Sequence, residues 1–467
     1  MKMWSGRFRQ PLDPEFERWQ RSFDFDRRLL AHELAASSAH ARALKGAGVL
    51  NSTELIAILQ GLERIGEQAA SSPKFLEDDE AEDVHHFVEK QLVSLIGDTG
   101  YKLHSGRSRN EQIATDLRLY VRAAVDQIRT DLAAWCSVFL DRAQQAGNAA
   151  MPAYTHLQRA EPVLVSHWLL AYVEMFLRDA DRLADCRSRL NVCPLGSGAV
   201  AGATLPLDRR TMAADLDFER PTANSIDATG DRDFVIEFVN ALSLLALHLS
   251  RWAEEMTLFS SQEYGSVHLP EAYSTGSSAM PQKKNPDLLE LTRGKCARVI
   301  GAATTLLICM KGLPLAYNKD LQETQEPLFD AADTVLSLLP LVTGWMKAVK
   351  FNYEHMQKAT QSGFMNAWAA ATYLVQRGVP FRLAHEQIGR AVQMCLEKHC
   401  ELQDLSLEDL RLVNPKFDQD FYACLTLESV LAIHDVPGGT APARVWQAMT
   451  DARQRVDSIR EDVHAHA

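Results

Sequence analysis

Residues 111–145 run almost without glycine or proline and repeat apolar side chains at three-to-four spacing. That period draws a single stripe along roughly ten turns of α-helix. Four more stretches of the same kind lie near residues 162–190, 233–260, 286–311 and 327–349. Helices of this length are well above the usual mean. Alternation of period two, which a half-buried strand needs, is scarce. The pattern predicts an all-α chain built on an elongated bundle of long helices. Leu242, Leu244, Leu245, Leu247 and Leu249 circle most of one helix. Such a helix is buried on several sides, and a subunit interface achieves this more easily than a monomer core. A homo-oligomer is expected.

The breaks divide the chain into three parts: 1–105 with shorter helices and an acidic patch, 106–358 with the long helices, and 359–467 with shorter helices and turns such as Pro437-Gly438-Gly439. No run of 18 or more apolar residues marks a membrane span, and the start has no apolar signal-peptide core. None of the eight cysteines forms a C-x-x-C pair, and several sit in apolar helical patterns. They read as reduced and mostly buried, in a cytoplasmic protein. A formal net charge of −12 argues against nucleic-acid binding. An acidic enzyme with an anionic substrate must concentrate its cations locally.

Four segments do this or carry other chemistry. Gly276-Ser277-Ser278-Ala279-Met280-Pro281-Gln282-Lys283-Lys284-Asn285-Pro286 combines small residues, two lysines and a helix-start signal, with Asn285 as N-cap and Pro286 at the first helical position. A mobile cationic loop on a helix N-terminus suits a carboxylate. Glu290 lies one turn into that helix, where a carboxylate can hold an imidazole in one tautomer. By itself it reads as a surface glutamate favourable to the helix dipole. Arg107 and Arg109, in Ser105-Gly106-Arg107-Ser108-Arg109-Asn110, can grip carboxylates bidentately, and Asn110 can cap the next helix or bind substrate. Thr155-His156-Leu157-Gln158-Arg159-Ala160-Glu161-Pro162 puts a proton-transferring side chain ahead of a Pro-started helix. Tyr317, Gln322 and their neighbours follow a Gly-Leu-Pro break in a run dense with hydrogen-bonding groups. Taken singly, these segments read as solvated loops and helix starts; together they read as a site.

Other features read blandly. The glycines of 196–202 have the wrong spacing for a dinucleotide fingerprint. The acids of 78–89 with His85 and His86 are an acidic helix start before they are a metal site. Trp168, Tyr172 and Phe176 recur at four-residue spacing as core aromatics do.

From end to end these segments resemble the argininosuccinate lyases of the fumarase/aspartase superfamily. Trp4-Ser5-Gly6-Arg7-Phe8, Ser22-Phe23-Asp24-Phe25-Asp26, residues 224–234 and Gly439-Thr440-Ala441-Pro442 complete the match. The resemblance implies a three-domain fumarase/aspartase-like fold, with a core of about 20 long helices in a homotetramer and active sites shared by three subunits. It implies reversible cleavage of argininosuccinate to arginine and fumarate, the closing step of arginine synthesis, with no metal or organic cofactor. Such a site needs a base, an acid and an anion clamp. The resemblance assigns the proton-transfer pair to Ser277 and His156, with direction open. Lys283 and the loop amides support the serine, and Glu290 orients His156. Ser22, His85, Arg109, Asn110, Thr155, Asn285, Tyr317, Gln322 and Gln325 are the implied binding positions. Gln325 stands where the family usually has lysine, with Thr324 before it in place of aspartate, which predicts retained but weaker binding. Gly230 stands where serine is common. The alternatives are another fumarate-releasing lyase, of the adenylosuccinate type, and a non-catalytic crystallin-like protein.

Overall fold

The computed structural model describes residues 10–465, so Trp4-Ser5-Gly6-Arg7-Phe8 lies outside the described residues. Helix dominates. Pro442–Ala465 is 24 residues long, although only shorter helices are expected in that part of the chain. The five stretches of the sequence pattern correspond to the long helices Arg109–Ala146, Val165–Leu190, Asp233–Ser260, Asp287–Met310 and Gln325–Ala348. Four agree with the sequence pattern to within about two residues, the margin expected of helix ends.

The second long helix does not start where its proline suggested. Pro162 belongs to the Gln158–Leu164 strand, paired antiparallel with Ala150–Thr155, and the helix begins at Val165. The residue before a proline is driven toward extended backbone, so Glu161 continues a strand. Pro162 faces Pro152 across the hairpin. A second correction concerns Asn285. It pairs with Thr275 in a short hairpin, its side-chain amide donates to Thr275 Oγ1 at 3.3 Å, and the helix starts at Asp287. Asn110 is not a cap either. Ser108 Oγ accepts the Asn110 N–H at 3.3 Å, and the Ser108 N–H donates to Glu111 Oε1 at 3.0 Å, a reciprocal cap of the capping-box kind.

The chain forms two compact units. One holds the described residues up to Gln127 with Arg182–Ser243 and Arg298–Thr334; the other holds Ile128–Asp181, Leu244–Ala297 and the described residues from Val335 onward. In the first unit, Ala36, Leu119, Leu195, Met212 and Phe218 share one apolar core. In the second, Trp135, Trp252 and Trp345 are fully buried and stack edge to face. A separate core there joins Tyr373, Leu374, Ile388, Phe417 and Phe421. Trp168, Tyr172 and Phe176 pack among aromatics as expected, and Glu255 accepts from both Trp168 Nε1 and the Tyr172 hydroxyl.

The leucine-rich helix is buried on only part of its circumference within one chain. Leu242, Leu245 and Leu249 are buried, whereas Leu244 and Leu247 remain 40% and 45% exposed. Two stretches, Asp233–Ser260 and Lys319–Ala348, are long and apolar enough by composition to cross a membrane. Polar residues interrupt them, so no unbroken apolar run shows in the sequence. Half or more of each apolar window is buried inside the fold. All eight cysteines are free thiols, and Cys136, Cys186, Cys193, Cys296 and Cys395 are buried.

Candidate active site

Four separated stretches of sequence meet in the first unit around a cavity of about 140 Å³. Ser22, His85, Arg109, Asn110, Tyr317, Gln322 and Gln325 all line it. Asp26, Glu82, Asp83 and Lys319 line it too, and the sequence reading did not single them out. Asp26 could have been found, because a residue four positions after Ser22 falls on the same helical face.

Local chemistry fixes these walls. Ser22 Oγ donates to Asp26 Oδ2 at 2.6 Å, and Asp26 Oδ1 accepts the Val84 N–H at 3.0 Å. Asp83 caps the next helix by accepting the His86 N–H at 2.7 Å. Burial, with the charge of Asp83, pushes the Asp26 carboxyl up to about 7. Burial also acts to raise Asp83, but Arg109 and His85 outweigh it and hold that carboxyl low. Arg109 meets Glu82 at 3.1 Å and Asp83 at 3.0 Å. Arg107 donates to Ser37 Oγ at 2.8 Å and lies 3.9 Å from Glu33. Both arginines expected to grip a ligand thus already engage the protein's own carboxylates. Gln322 donates to the Gln20 carbonyl at 3.1 Å, and Asn110 to the Ala199 carbonyl at 3.3 Å. Gln325 is buried, and its Oε1 has no hydrogen-bond partner. Behind the cavity, Glu33, His85 and Asp116 offer ligand atoms within 4.8 Å of one another. Their charges are met from within, since His85 Nδ1 bonds Glu33 at 2.8 Å and Arg107 adds a guanidinium. That donor set fits a buried ion pair better than a divalent cation.

Tyr317 is presented by a strained turn. Ala316 has a φ of +64°, and its carbonyl oxygen lies 2.6 Å from where a Cβ on Gly230 would stand. Only glycine permits this approach. Gly230→Ala is expected to lose about 1–3 kcal/mol in urea denaturation, because the blocking atom is backbone. Gly389→Ala, on an open helix face, is expected to gain up to about 1 kcal/mol. Equal effects of the two would defeat the steric argument.

The other six nominated residues belong to the second unit. Thr155 and His156 form the tip of the first hairpin, where Thr155 pairs with Gln158. His156 and Leu157 have φ of +55° and +58°, the sign pattern of a type I′ turn. Such turns select Asn-Gly, and a non-glycine residue in this region costs on the order of 1 kcal/mol. The strain presents the His156 ring to solvent. The hairpin is tied down at its base by the Leu164 N–H on Thr440 Oγ1 at 2.9 Å and near its tip by Arg159 on the Ala359 carbonyl at 3.2 Å.

Ser277, Lys283 and Asn285 lie on the second hairpin. Ser277 Oγ accepts the backbone N–H of Ala279 at 3.3 Å and of Met280 at 3.1 Å. Lys283 is exposed. The Thr275 N–H bonds Asp287 Oδ2 at 2.8 Å, fastening the hairpin to the helix that follows. Glu290 is exposed on that helix, 3.9 Å from Arg293. Within one chain no hydrogen bond joins it to His156.

Residues 6–301 match the family model described as lyase, and residues 364–432 the one described as argininosuccinate lyase C-terminal. An argininosuccinate lyase of Acidobacterium capsulatum is 60% identical over 97% of this chain and 94% of its own length. That of Koribacter versatilis is 58% identical over the whole of both chains, and that of Heliobacterium mobile 47% identical over 97% and 99%. Among solved structures, EDDS lyase in complex with formate shares the fold, with a TM-score of 0.84 at 24% identity over 98% of this chain and 92% of that one. Class II fumarase of Schistosoma mansoni also shares it, with a TM-score of 0.73 at 16% identity over 85% and 90%. The chain has the all-α fumarase/aspartase fold, and by its full-length identity to these relatives it belongs to the argininosuccinate lyase family.

Proposed function

We propose that this protein reversibly cleaves argininosuccinate to arginine and fumarate. The observation that carries the site assignment is the convergence of seven nominated residues, from four separated stretches, on one polar cavity. The reaction removes a weakly acidic proton from carbon beside a carboxylate, holds the charge on that carboxylate, and protonates the departing nitrogen. Ser277 and His156 form the proton-transfer pair. The Ala279 and Met280 amides point at Ser277 Oγ and stabilise negative charge there. Lys283 adds a positive charge to the same hairpin. Glu290 orients His156. Ser22, His85, Arg109, Asn110, Tyr317, Gln322 and Gln325 bind substrate from the cavity, and Thr155 and Asn285 from the two hairpins.

The active unit is a homotetramer whose sites draw on three subunits. Uncovered apolar side chains on the long helices support this: Leu244, Leu247, Leu291, Leu307, Ile308 and Leu341 are each at least 40% exposed. Each subunit divides into three parts near residues 105 and 358. Free, mostly buried thiols support a cytoplasmic setting.

The test follows fumarate by ultraviolet absorbance with argininosuccinate and adenylosuccinate in parallel. Release from argininosuccinate alone is expected. Release from adenylosuccinate alone, or from neither by a folded tetramer, would overturn the substrate assignment.

A further inference from the structure

His85 is buried at 6% exposure with its two ring nitrogens in different situations. Nδ1 is committed to Glu33 Oε2 at 2.8 Å. Nε2 is equally buried and has no hydrogen-bond partner, in a residue that lines the Ser22–Gln325 cavity. An unpaired buried donor is costly, so an orphan at a cavity wall is most simply explained by a ligand that pairs it.

Glu33 is held as firmly as a side chain can be. It is fully buried on the Leu30–Gly46 helix. Its Oε1 accepts from Ser37 Oγ at 2.6 Å and from Gln112 Nε2 at 3.0 Å, leaving Oε2 for His85. Both donors come from helix faces, the rigid elements on which a precise site is built. We propose that Glu33 is a positioning residue, which fixes the His85 ring so that Nε2–H donates to an acceptor oxygen of the bound succinyl ligand. This deepens the function proposed above and rests on it.

The electrostatics agree with the geometry. Burial acts to lower the His85 imidazole, but the charge and hydrogen bond of Glu33, then Asp83 and Asp26, outweigh it and raise it. Burial acts to raise Glu33, and His85 and Arg107 overcome it and hold the carboxyl low. Asp116, 3.7 Å from His85 Nδ1, is pushed well above the carboxylate range by burial and by the negative charge of Glu33. Burial thus favours the uncharged form of Asp116 beside the Glu33–His85 pair. The other charged or titratable groups around His85 are Arg107, His104 and Glu89 behind it, and Glu82, Arg109, Tyr317 and Lys319 around the cavity; burial first, then Arg107 and Arg109, pull His104 down to about 4, so it stays neutral near pH 7.

The sign follows. A raised pKa keeps His85 cationic below that value, and the charge is lost as pH rises through it. Removing the charge of Glu33 moves the loss to lower pH.

The experiment compares the parent with Glu33→Gln and Glu33→Asp in fumarate release from pH 5.5 to 9, with KM and kcat resolved. Selective ¹⁵N-histidine spectra are recorded in parallel on the ligand-free parent, with the His85 signal assigned through His85→Gln. For Glu33→Gln, a KM raised about 10- to 100-fold with a smaller change in kcat is expected, with the alkaline limb of kcat/KM moved down by about one pH unit or more. Glu33→Asp, which keeps the charge, should recover most of both. An unmoved KM and limb, or equal losses in the two variants, would overturn the inference and leave the proposed reaction standing. The parent spectrum needs no variant kinetics: a neutral or tautomerically mixed His85 at pH 7 overturns the inference even if Glu33→Gln fails to fold. A parent that releases no fumarate defeats the reaction instead, while the spectrum still reports whether the ring is fixed.

Discussion

Replacing Ser277 with alanine is expected to lower fumarate release by roughly 10²-fold or more, the range for removing a positioned acid or base. Unaided, a serine hydroxyl holds its proton far too tightly near neutral pH to act as a base. The Ala279 and Met280 amides both donate to its oxygen, and each donor favours the charged form. Small residues make this possible, because the hairpin turns tightly enough to bring two successive N–H groups onto one side chain. Ser278→Ala, one position along and exposed, is the control and is expected to change the rate little. His156→Asn should match the Ser277 loss, because either half of a proton-transfer pair removes the same path. Initial rates at saturating argininosuccinate check all three. If Ser278→Ala and Ser277→Ala lose equally, the loop matters as a whole and the specific role of Ser277 is wrong.

The largest stability effect is expected at Trp252. It is fully buried in the second unit, edge to face with Trp135 at 4.9 Å and with Trp345 at 5.2 Å between ring centroids. Trp252→Ala removes the middle ring and leaves a cavity that two neighbouring indoles cannot refill. The expected loss is about 3–5 kcal/mol, plus about 1 kcal/mol for each aromatic pair broken. Trp252→Phe is expected to lose far less. It keeps most of the apolar volume, and the Trp252 Nε1 has no hydrogen bond to forfeit. Urea midpoints at fixed protein concentration make the comparison. A loss under about 1 kcal/mol for the alanine variant would mean that the core closes over the gap.

Helices were the legible part of the sequence because their signal is long. Thirty or more residues of one period, as in Arg109–Ala146, overwhelm local ambiguity. The hairpins were not legible. His156-Leu157 carries none of the glycine or asparagine that announces a type I′ turn. Tertiary ties such as Leu164 to Thr440 hold it in place of turn chemistry. Pro162 and Asn285 misled for a related reason, since both are helix-start residues in isolation and strand residues here. Neighbouring segments had already claimed their backbone.

By itself the sequence determined that this is an all-α chain of long helices and, through motifs matching one lyase branch, which side chains to inspect. Periodicity and residue chemistry are local, and a linear reading contains them. Only the tertiary structure decided that Arg107 and Arg109 are already paired with carboxylates, that Asp83 shares the cavity with Ser22, and that Glu33 stands behind His85. Those pairings join residues tens of positions apart. Burial, which sets whether a carboxyl is charged or an imidazole is fixed, is a property of the packed neighbours and not of the residue.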